Sequence, residues 1–162
     1  MAVLTIQSDQ IVAHTPAINA EPQMNVERIA KLRTLFFNVP ATSVTAAGDI
    51  GSVLELCRIP YSRIRLFPCL SRYTVSAWGA SRTLKFGTRS YTTEGNVTVA
   101  EDFTSYNATG LDVSAAVAAQ TLSPLLKYDL FSRAGITFAA QVSGGTIPVG
   151  ATLSGVLVYA AD

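Results

Sequence analysis

The one histidine of the chain, His14, is the first residue to test for chemistry, because histidine is the side chain best suited to proton transfer near neutral pH. It lies among polar residues near the N-terminus, and no GxSxG motif supplies a serine nucleophile for it. A pair of carboxylates could hydrolyse a glycosidic bond, but the candidate acids lie in predicted loops, where acidic residues usually face solvent. Those acids are Glu94, Glu101, Asp102 and Asp112. We therefore predict no catalytic residues and no enzyme.

Cysteines and glycines predict no cofactor and no metal site either. Cys57 and Cys69 lack the CxxC spacing of zinc and redox sites, so we interpret both as small buried apolar residues. The GGTIPVG stretch lacks the GK[ST] sequence and the following helix of a phosphate-binding loop. Its simplest interpretation is a connection between two strands of a hairpin.

Basic residues are concentrated in one part of a chain whose net charge is only +1. No acid interrupts the run of arginines and lysine formed by Arg58, Arg63, Arg65, Arg72, Arg82, Lys85 and Arg89. Such a run could form a patch for nucleic acid or for an acidic protein surface. We prefer the interpretation that these side chains face solvent from strands or pair with acids from other segments. A nucleic-acid partner is therefore not expected.

The first part of this basic run lies in the stretch Gly51–Trp78, which is predicted to form strands. In Val53–Ile59, Leu54 and Leu56 share one face, and Val53, Glu55, Cys57 and Ile59 share the other. Arg63–Phe67 and Tyr73–Trp78 also alternate with period two, and Pro60 and Pro68 end the first two runs.

Other stretches complete an all-β prediction. Residues 1–40 are interpreted as an extended N-terminal arm with a first strand at Leu32–Val39, and residues 41–162 as an antiparallel β-sandwich, with the jelly roll the favoured version. The alanine-rich stretch Leu111–Leu122 is the best helix candidate, although coil leading into a strand fits it equally well. Three strands that begin near Leu125, Ile136 and Ala151 are predicted to form a closing meander.

Composition points to an assembled protein. Hydrophobic residues make up 49% of the chain and charged residues only 14%, with a mean hydropathy of +0.32. A domain with so little charge often buries part of its surface against other subunits. No apolar run is long enough for a transmembrane helix, and no signal peptide is recognisable, so no membrane partner is expected.

Four stretches together resemble a known family of viral structural proteins. They are AAGDIGSVLELCRIPYSRIRLFPCLSR, LKFGTRSY, LDVSAA and SRAGITFAAQVSGGTIPVGATLSGVLVYAA, within residues 46–162. This pattern resembles the capsid decoration (cement) proteins of tailed bacteriophages, or head proteins encoded close to them, and GGTIPVGATLSG is its most distinctive part.

The resemblance implies a structural role on a virus particle. Proteins of this family are jelly-roll sandwiches, commonly trimers, that bind the outside of the head and clamp neighbouring major capsid subunits. It therefore implies a homotrimer whose partner is the major capsid protein, located on the virion exterior and made in the bacterial host cytoplasm. The contact candidates from the arm and the basic run are Ile11, His14, Ile18, Met24, Arg28, Arg63, Arg65, Arg72 and Arg89.

Two other functions remain open for a β-sandwich of this kind. A host-attachment or carbohydrate-binding module of a phage head or tail fibre would need an exposed shelf of aromatic residues, for which Tyr73, Trp78 and Tyr91 are the candidates, although ordinary sheet packing is the preferred interpretation of all three. A small hydrolase would need acids that converge in one cleft.

Overall fold

The computed structural model describes residues 5–7, 31–60, 63–103, 110–122 and 129–161. Within these ranges the chain forms thirteen strands and one short 3-10 turn at Ala41–Ser43. The strands are β1 (Thr5–Gln7), β2 (Lys31–Val39), β3 (Val53–Ile59), β4 (Arg63–Leu66), β5 (Arg72–Val75), β6 (Thr83–Thr88), β7 (Tyr91–Thr92), β8 (Thr98–Val99), β9 (Leu111–Asp112), β10 (Val117–Thr121), β11 (Asp129–Phe131), β12 (Ile136–Ser143) and β13 (Leu153–Ala161). The all-β prediction is confirmed.

The strands form two main sheets that pack as a sandwich. The first sheet has the order β1-β3-β12-β6-β9 and is antiparallel except for the parallel β1–β3 pair. In the second sheet, β13 pairs with β2 along its whole length on one side, and with β5 and then β4 on the other. β10 and β11 extend that sheet beyond β5 and β4. β7 and β8 form a separate hairpin.

The core lies between the two sheets and joins them through aromatic side chains. The ring centroid of Tyr73 on β5 lies 5.3 Å from that of Phe86 on β6, and Phe86 stacks on Phe138 of β12 at 5.8 Å. All three rings are almost completely buried. Burying an aromatic side chain contributes about 1.5–3 kcal/mol, and a ring pair adds about 0.5–1.5 kcal/mol. The sheets are therefore held together chiefly by apolar contacts.

A β-bulge in β3 corrects the predicted faces of that strand. The pairing with β12 shifts between Phe138, opposite Cys57, and Ala139, opposite Glu55. The extra residue reverses the alternation of side chains beyond the bulge. As a result, Leu54, Leu56, Cys57 and Ile59 all lie in the same core cluster. The assignment of Cys57 and Ile59 to the opposite face was wrong because strict alternation does not include such an insertion.

The helix proposed for Leu111–Leu122 is absent, and the alternative of coil leading into a strand is confirmed. β9 and β10 occupy this stretch, with Asp112 accepting a hydrogen bond from the Ser114 backbone N–H at 2.8 Å. β10 pairs with β5, so the backbone groups of the alanine-rich segment bond across a sheet rather than along a helix. A weak local preference for helix is overridden by this tertiary pairing.

The prediction that the last three strands form a meander was also wrong, although strands are present in all three stretches. β11 and β13 belong to the second sheet, whereas β12 lies in the first between β3 and β6. The GGTIPVG connection therefore crosses from one sheet to the other instead of closing a hairpin. For the strand expected from Leu125 onwards, Asp129–Phe131 is observed, and residues 123–128 lie outside the described ranges.

The N-terminal part of the chain is only partly described. β1 pairs with β3, and β2 is an integral strand of the second sheet, in agreement with the strand predicted at Leu32–Val39. Residues 8–30, on which most of the predicted arm falls, lie outside the described ranges. No helix in the described part of the chain is long and apolar enough to span a membrane.

Candidate interaction surface

The second sheet turns one of its sides away from the core, and alternation determines which residues lie there. In β4, Ile64 and Leu66 are buried, so Arg63 and Arg65 face outwards. In β5, Tyr73 and Val75 are buried, so Arg72 and Thr74 face outwards by the same alternation. We call this side the outer face, and it includes Leu32, Phe36, Arg63, Arg65, Arg72, Thr74, Phe131, Ser154, Val156 and Ala160.

Two rows of side chains cross the outer face from β2 to the opposite strands. In one row Phe36 lies opposite Val156, which lies opposite Arg72. In the other, Leu32 lies opposite Ala160, which lies opposite Arg65. Each row therefore begins with an apolar residue on β2 and ends with an arginine. Phe36 is 67% exposed and Leu32 60% exposed, a high exposure for two large apolar side chains on one strand.

Arg63 adds a third cation at one margin of the outer face. Its guanidinium carbon lies 5.8 Å from the centre of the Phe131 ring, which is within range of a cation–π interaction. Its Nη2 atom lies 4.0 Å from Oε2 of Glu94, and both side chains are more than half exposed. An exposed ion pair at that distance contributes little to stability, so Arg63 keeps its charge available at the surface.

A shallow groove of about 380 Å³ lies on the outer face between β2 and β10. Its lining consists of Phe36, Phe37, Asn38, Arg72, Tyr73, Thr74, Ala119, Ser154, Gly155 and Val156. Ser154 and Val156 of β13 form the floor, with the Gly155 backbone between them. Phe36 stands on one side of this floor and Arg72 on the other, so the groove combines an apolar wall with a basic wall.

The basic wall is built on an unusual backbone conformation at Ala119. This residue has φ of 49°, a left-handed value that alanine rarely adopts, at a register shift in the pairing of β10 with β5. Two hydrogen bonds hold it there: its N–H donates to Thr74 Oγ1 at 3.0 Å, and its carbonyl accepts from Arg72 Nη1 at 3.2 Å. The bulge therefore fixes the direction of the Arg72 guanidinium.

The predicted contact residues are divided by the structure. Arg63, Arg65 and Arg72 lie on the same outer face, with Arg65 and Arg72 beside different parts of β13. Arg89 lies elsewhere, where its Nε donates to Glu55 at 3.1 Å and its Nη1 pairs with Glu101. The predicted arm residues lie outside the described ranges, namely Ile11, His14, Ile18, Met24 and Arg28.

Other residues of the basic run also have internal partners, as the preferred interpretation expected. Arg82 donates from Nε to the Thr146 carbonyl at 2.5 Å and from Nη1 to the Trp78 carbonyl. Arg58 donates from Nη2 to the Ala134 carbonyl at 2.9 Å. These arginines connect distant segments of the chain, which leaves the outer face as the main exposed concentration of arginine in the described ranges.

Sulfur and carboxylate groups form no metal-binding cluster in the described part of the chain. Cys57 is buried as predicted, and burial raises the pKa of its thiol to about 12. Cys69 is exposed, which corrects the prediction that both cysteines are buried. The hydrogen bonds from Ser114 lower the pKa of Asp112, an effect of its local turn.

The aromatic shelf considered for carbohydrate binding is not formed. Tyr73 and Trp78 are 1% and 2% exposed and belong to the core, so only Tyr91 of the three is partly accessible. Sequence reasoning missed Leu32 and Phe36 as surface residues. The period of β2 could have identified Phe36, because a strand directs two adjacent phenylalanines to opposite sides.

Comparison with known proteins identifies a similar fold. A chain in the capsid of Ralstonia phage GP4 superimposes with a TM-score of 0.59 and 15% sequence identity, covering 98% of both chains. A chain in the cyanophage Pam1 capsid asymmetric unit gives a TM-score of 0.46 and 14% identity over 83% of this chain and 87% of that one. No protein-family model and no curated protein matches the sequence. The likeness to the GP4 chain shows that the two proteins share an overall fold.

Proposed function

We propose that the protein is a non-enzymatic structural component of a tailed-phage head, and that it acts as a decoration (cement) protein. In this role it binds the outside of the capsid as an oligomer, with a homotrimer expected, and stabilises contacts between major capsid subunits. The observation that carries the proposal is the fold likeness over 98% of both chains to a component of a phage capsid. The decoration role itself rests on the resemblance of residues 46–162 to that family.

The outer face supports a role in protein–protein contact. Exposed aromatic and aliphatic residues beside arginines are the composition favoured in protein interfaces, where arginine and aromatic side chains are enriched. Leu32 and Phe36 supply the apolar part, and Arg63, Arg65 and Arg72 supply the charge. We propose that these three arginines are capsid contacts, as are the arm residues at positions 11, 14, 18, 24 and 28.

Oligomerisation would strengthen modest contacts of this kind. A trimer whose copies meet equivalent capsid sites converts its second and third binding events into intramolecular ones. Avidity can exceed the affinity of one site by about 10²–10⁴-fold. Each face therefore needs only a small contact area to give durable attachment.

The experiment that tests the proposal combines native mass with capsid binding. Sedimentation velocity gives the oligomeric state of the purified protein, and co-sedimentation with empty capsids that lack it gives the binding stoichiometry. We expect a trimer that saturates the shells at a fixed ratio to the major capsid protein. A monomer that stays in the supernatant would contradict the proposal, and affinity for host glycans would then be measured instead.

The arm can be tested without removing β1, whose loss would expose the edge of β3. Serine at Ile11, Ile18 and Met24 together removes the three apolar contact candidates of the arm and changes no residue of the described strands. We expect weaker shell binding with unchanged thermal unfolding. Full binding by this triple variant would exclude Ile11, Ile18 and Met24 from the contact.

A further inference from the structure

The groove on the outer face has a second feature besides its shape, which is the chemical difference between its two walls. Phe36 and Val156 provide an apolar surface, whereas Arg72 provides a cation on the neighbouring strand. A guanidinium has five N–H donors, and the described structure uses Nη1 of Arg72 for the Ala119 carbonyl. The remaining donors can bind a carboxylate in the planar, two-bonded arrangement that arginine favours.

The spacing of the two walls defines what fits between them. Phe36 and Arg72 lie on strands separated by one intervening strand, β13, so their backbones are about 10 Å apart. An extended chain that crosses the groove advances about 6.8 Å over two residues, and those two side chains point to the same side. The side chains of Phe36 and Arg72 are long enough to span the difference between the distance of about 10 Å that separates their backbones and the advance of about 6.8 Å along the bound segment. A segment with an apolar residue followed two positions later by an acid therefore matches the groove.

The backbone of Ala119 is an independent observation at the same place. A left-handed alanine is uncommon, and such conformations concentrate where a side chain must be aimed for function. Here the conformation turns the Ala119 carbonyl towards Arg72 and its N–H towards Thr74. The arginine is thus oriented before any ligand arrives, which reduces the entropy lost on binding.

We propose that this groove binds an extended acidic segment of the major capsid subunit, with an apolar side chain packed between Phe36 and Val156 and a carboxylate held by Arg72. The proposal rests on the proposed function and names its point of attachment. Charge complementarity favours an acidic partner over a second copy of this chain, because two copies of the outer face would bring arginines together.

Two substitutions test the two walls of the groove independently, and two matched substitutions elsewhere serve as controls. Arg72→Gln removes the carboxylate partner, and Phe36→Ser removes the apolar wall. Lys85→Gln removes one positive charge from the first sheet, and Val97→Ser removes one exposed apolar side chain near the β7–β8 turn. Co-sedimentation of each full-length variant with empty shells measures the apparent Kd.

We expect each groove substitution to weaken binding by at least about tenfold, in the range of an interface hot spot, and each control to change it less than about twofold. Equal binding by wild type, Arg72→Gln and Phe36→Ser would overturn the groove while leaving the decoration role intact. If the wild type itself ignored the shells, the decoration role would fail, and the assignment of the partner with it.

Two further measurements would reveal whether something other than a capsid segment occupies the groove. Native mass reveals whether Phe36→Ser or Arg72→Gln dissociates the oligomer, which would make the groove a contact between copies and overturn a capsid segment as its occupant. Thermal unfolding of the isolated variants reveals whether the groove is filled by the same chain. A clear loss of thermal stability in both variants would assign the groove to another segment of the same chain and also contradict the proposal, whereas unchanged mass and unfolding support it.

Discussion

The two cysteines of this protein lie in opposite environments, one buried and one exposed. Cys57 is enclosed in the core, where a thiolate would lose its hydration, so its pKa rises to about 12. Cys69 follows Pro68 at an exposed turn. Because the thiolate is the reactive form, these environments give the two side chains different reactivity although neither has a special sequence context.

Thiol labelling should distinguish the two cysteines directly. With a disulfide-exchange reagent at pH 8, we expect one thiol to react in the native protein and both in denaturant. Cys69→Ser should abolish native labelling, and Cys57→Ser should leave it unchanged. Rapid reaction of two thiols in the folded wild type would contradict the burial of Cys57.

The Cys57 thiol also makes stability depend on alkaline pH. Between about 9, the ordinary value for this thiol, and about 12, the unfolded state releases the thiol proton and the folded state keeps it. The contribution of this thiol to the free energy of unfolding is therefore fully present below pH 9. Above pH 9 that contribution falls by about 1.4 kcal/mol per pH unit. Urea unfolding between pH 8 and pH 10 should show a shallower decline for Cys57→Ala than for the wild type, and parallel curves would disprove the linkage.

Gly155 is a residue whose lack of a side chain has a packing reason. A Cβ at this position would approach the Arg72 carbonyl and the Phe37 ring more closely than real contacts allow. Gly155→Ala should therefore cost about 1–3 kcal/mol of unfolding free energy through overpacking. Gly95→Ala is the matched control, since its Cβ would meet only Thr93 Oγ1 at 3.9 Å. Equal urea midpoints for the two variants would show that β13 can shift to accept the methyl group.

At the scale of elements, β2 links the core to the outer face. Its inward residues Phe37 and Val39 are buried, whereas Leu32 and Phe36 are exposed on the other side. β2 pairs with β13 over nine residues, and no other described strand pairs with it, so it forms the margin of the second sheet. An edge strand with exposed apolar residues is a liability in a monomer and is suited to an assembly.

The two phenylalanines of β2 should therefore differ sharply in their contribution to stability. Phe37→Ala should cost about 3–5 kcal/mol because it leaves a cavity in the core. Phe36→Ser should cost less than about 1 kcal/mol, since it changes only strand propensity at the surface. Chemical denaturation of both variants measures the difference, and comparable losses would indicate that Phe36 is covered within the protein.

At the scale of the whole molecule, the outer face is assembled from parts of the chain that are far apart in sequence. β2 lies near the start of the described chain and β13 at its end, while β4 and β5 come from the middle. The arginines thus gather on one side of one sheet, although the net charge of the protein is only +1. An uneven distribution of this kind steers a charged partner towards one surface.

Binding to capsid shells should accordingly weaken as salt increases. Raising the ionic strength from about 0.05 M to about 0.5 M shortens the screening length and should raise the apparent Kd about tenfold. A variant with glutamine at Arg63, Arg65 and Arg72 should bind more weakly and lose most of this dependence. Salt-independent binding of the wild type would assign the attachment to apolar contacts alone.

Much of the local structure was determined by the sequence alone. Alternation correctly put Ile64 and Leu66 on one face of their strand and Arg63 and Arg65 on the other, and it put Tyr73 and Val75 on one face, because the period of a strand is a property of the backbone. Proline and glycine positions also indicated strand ends, because proline lacks a backbone N–H donor and glycine favours turns. The low charge pointed to an assembled protein, and the basic run supplied contact candidates, although the preferred interpretation was that its side chains face solvent or pair with acids.

Only the tertiary structure decided which strands became neighbours and which residues met. Pairing between distant segments placed β12 and β13 in different sheets, put a bulge in β3, and replaced a local helix preference at Leu111–Leu122 with strand pairing to β5. It also brought Phe36, Arg72 and Ala119 together around one groove. Local sequence cannot encode these results by itself, because the free energy of each strand pair depends on the residues buried when two remote segments meet.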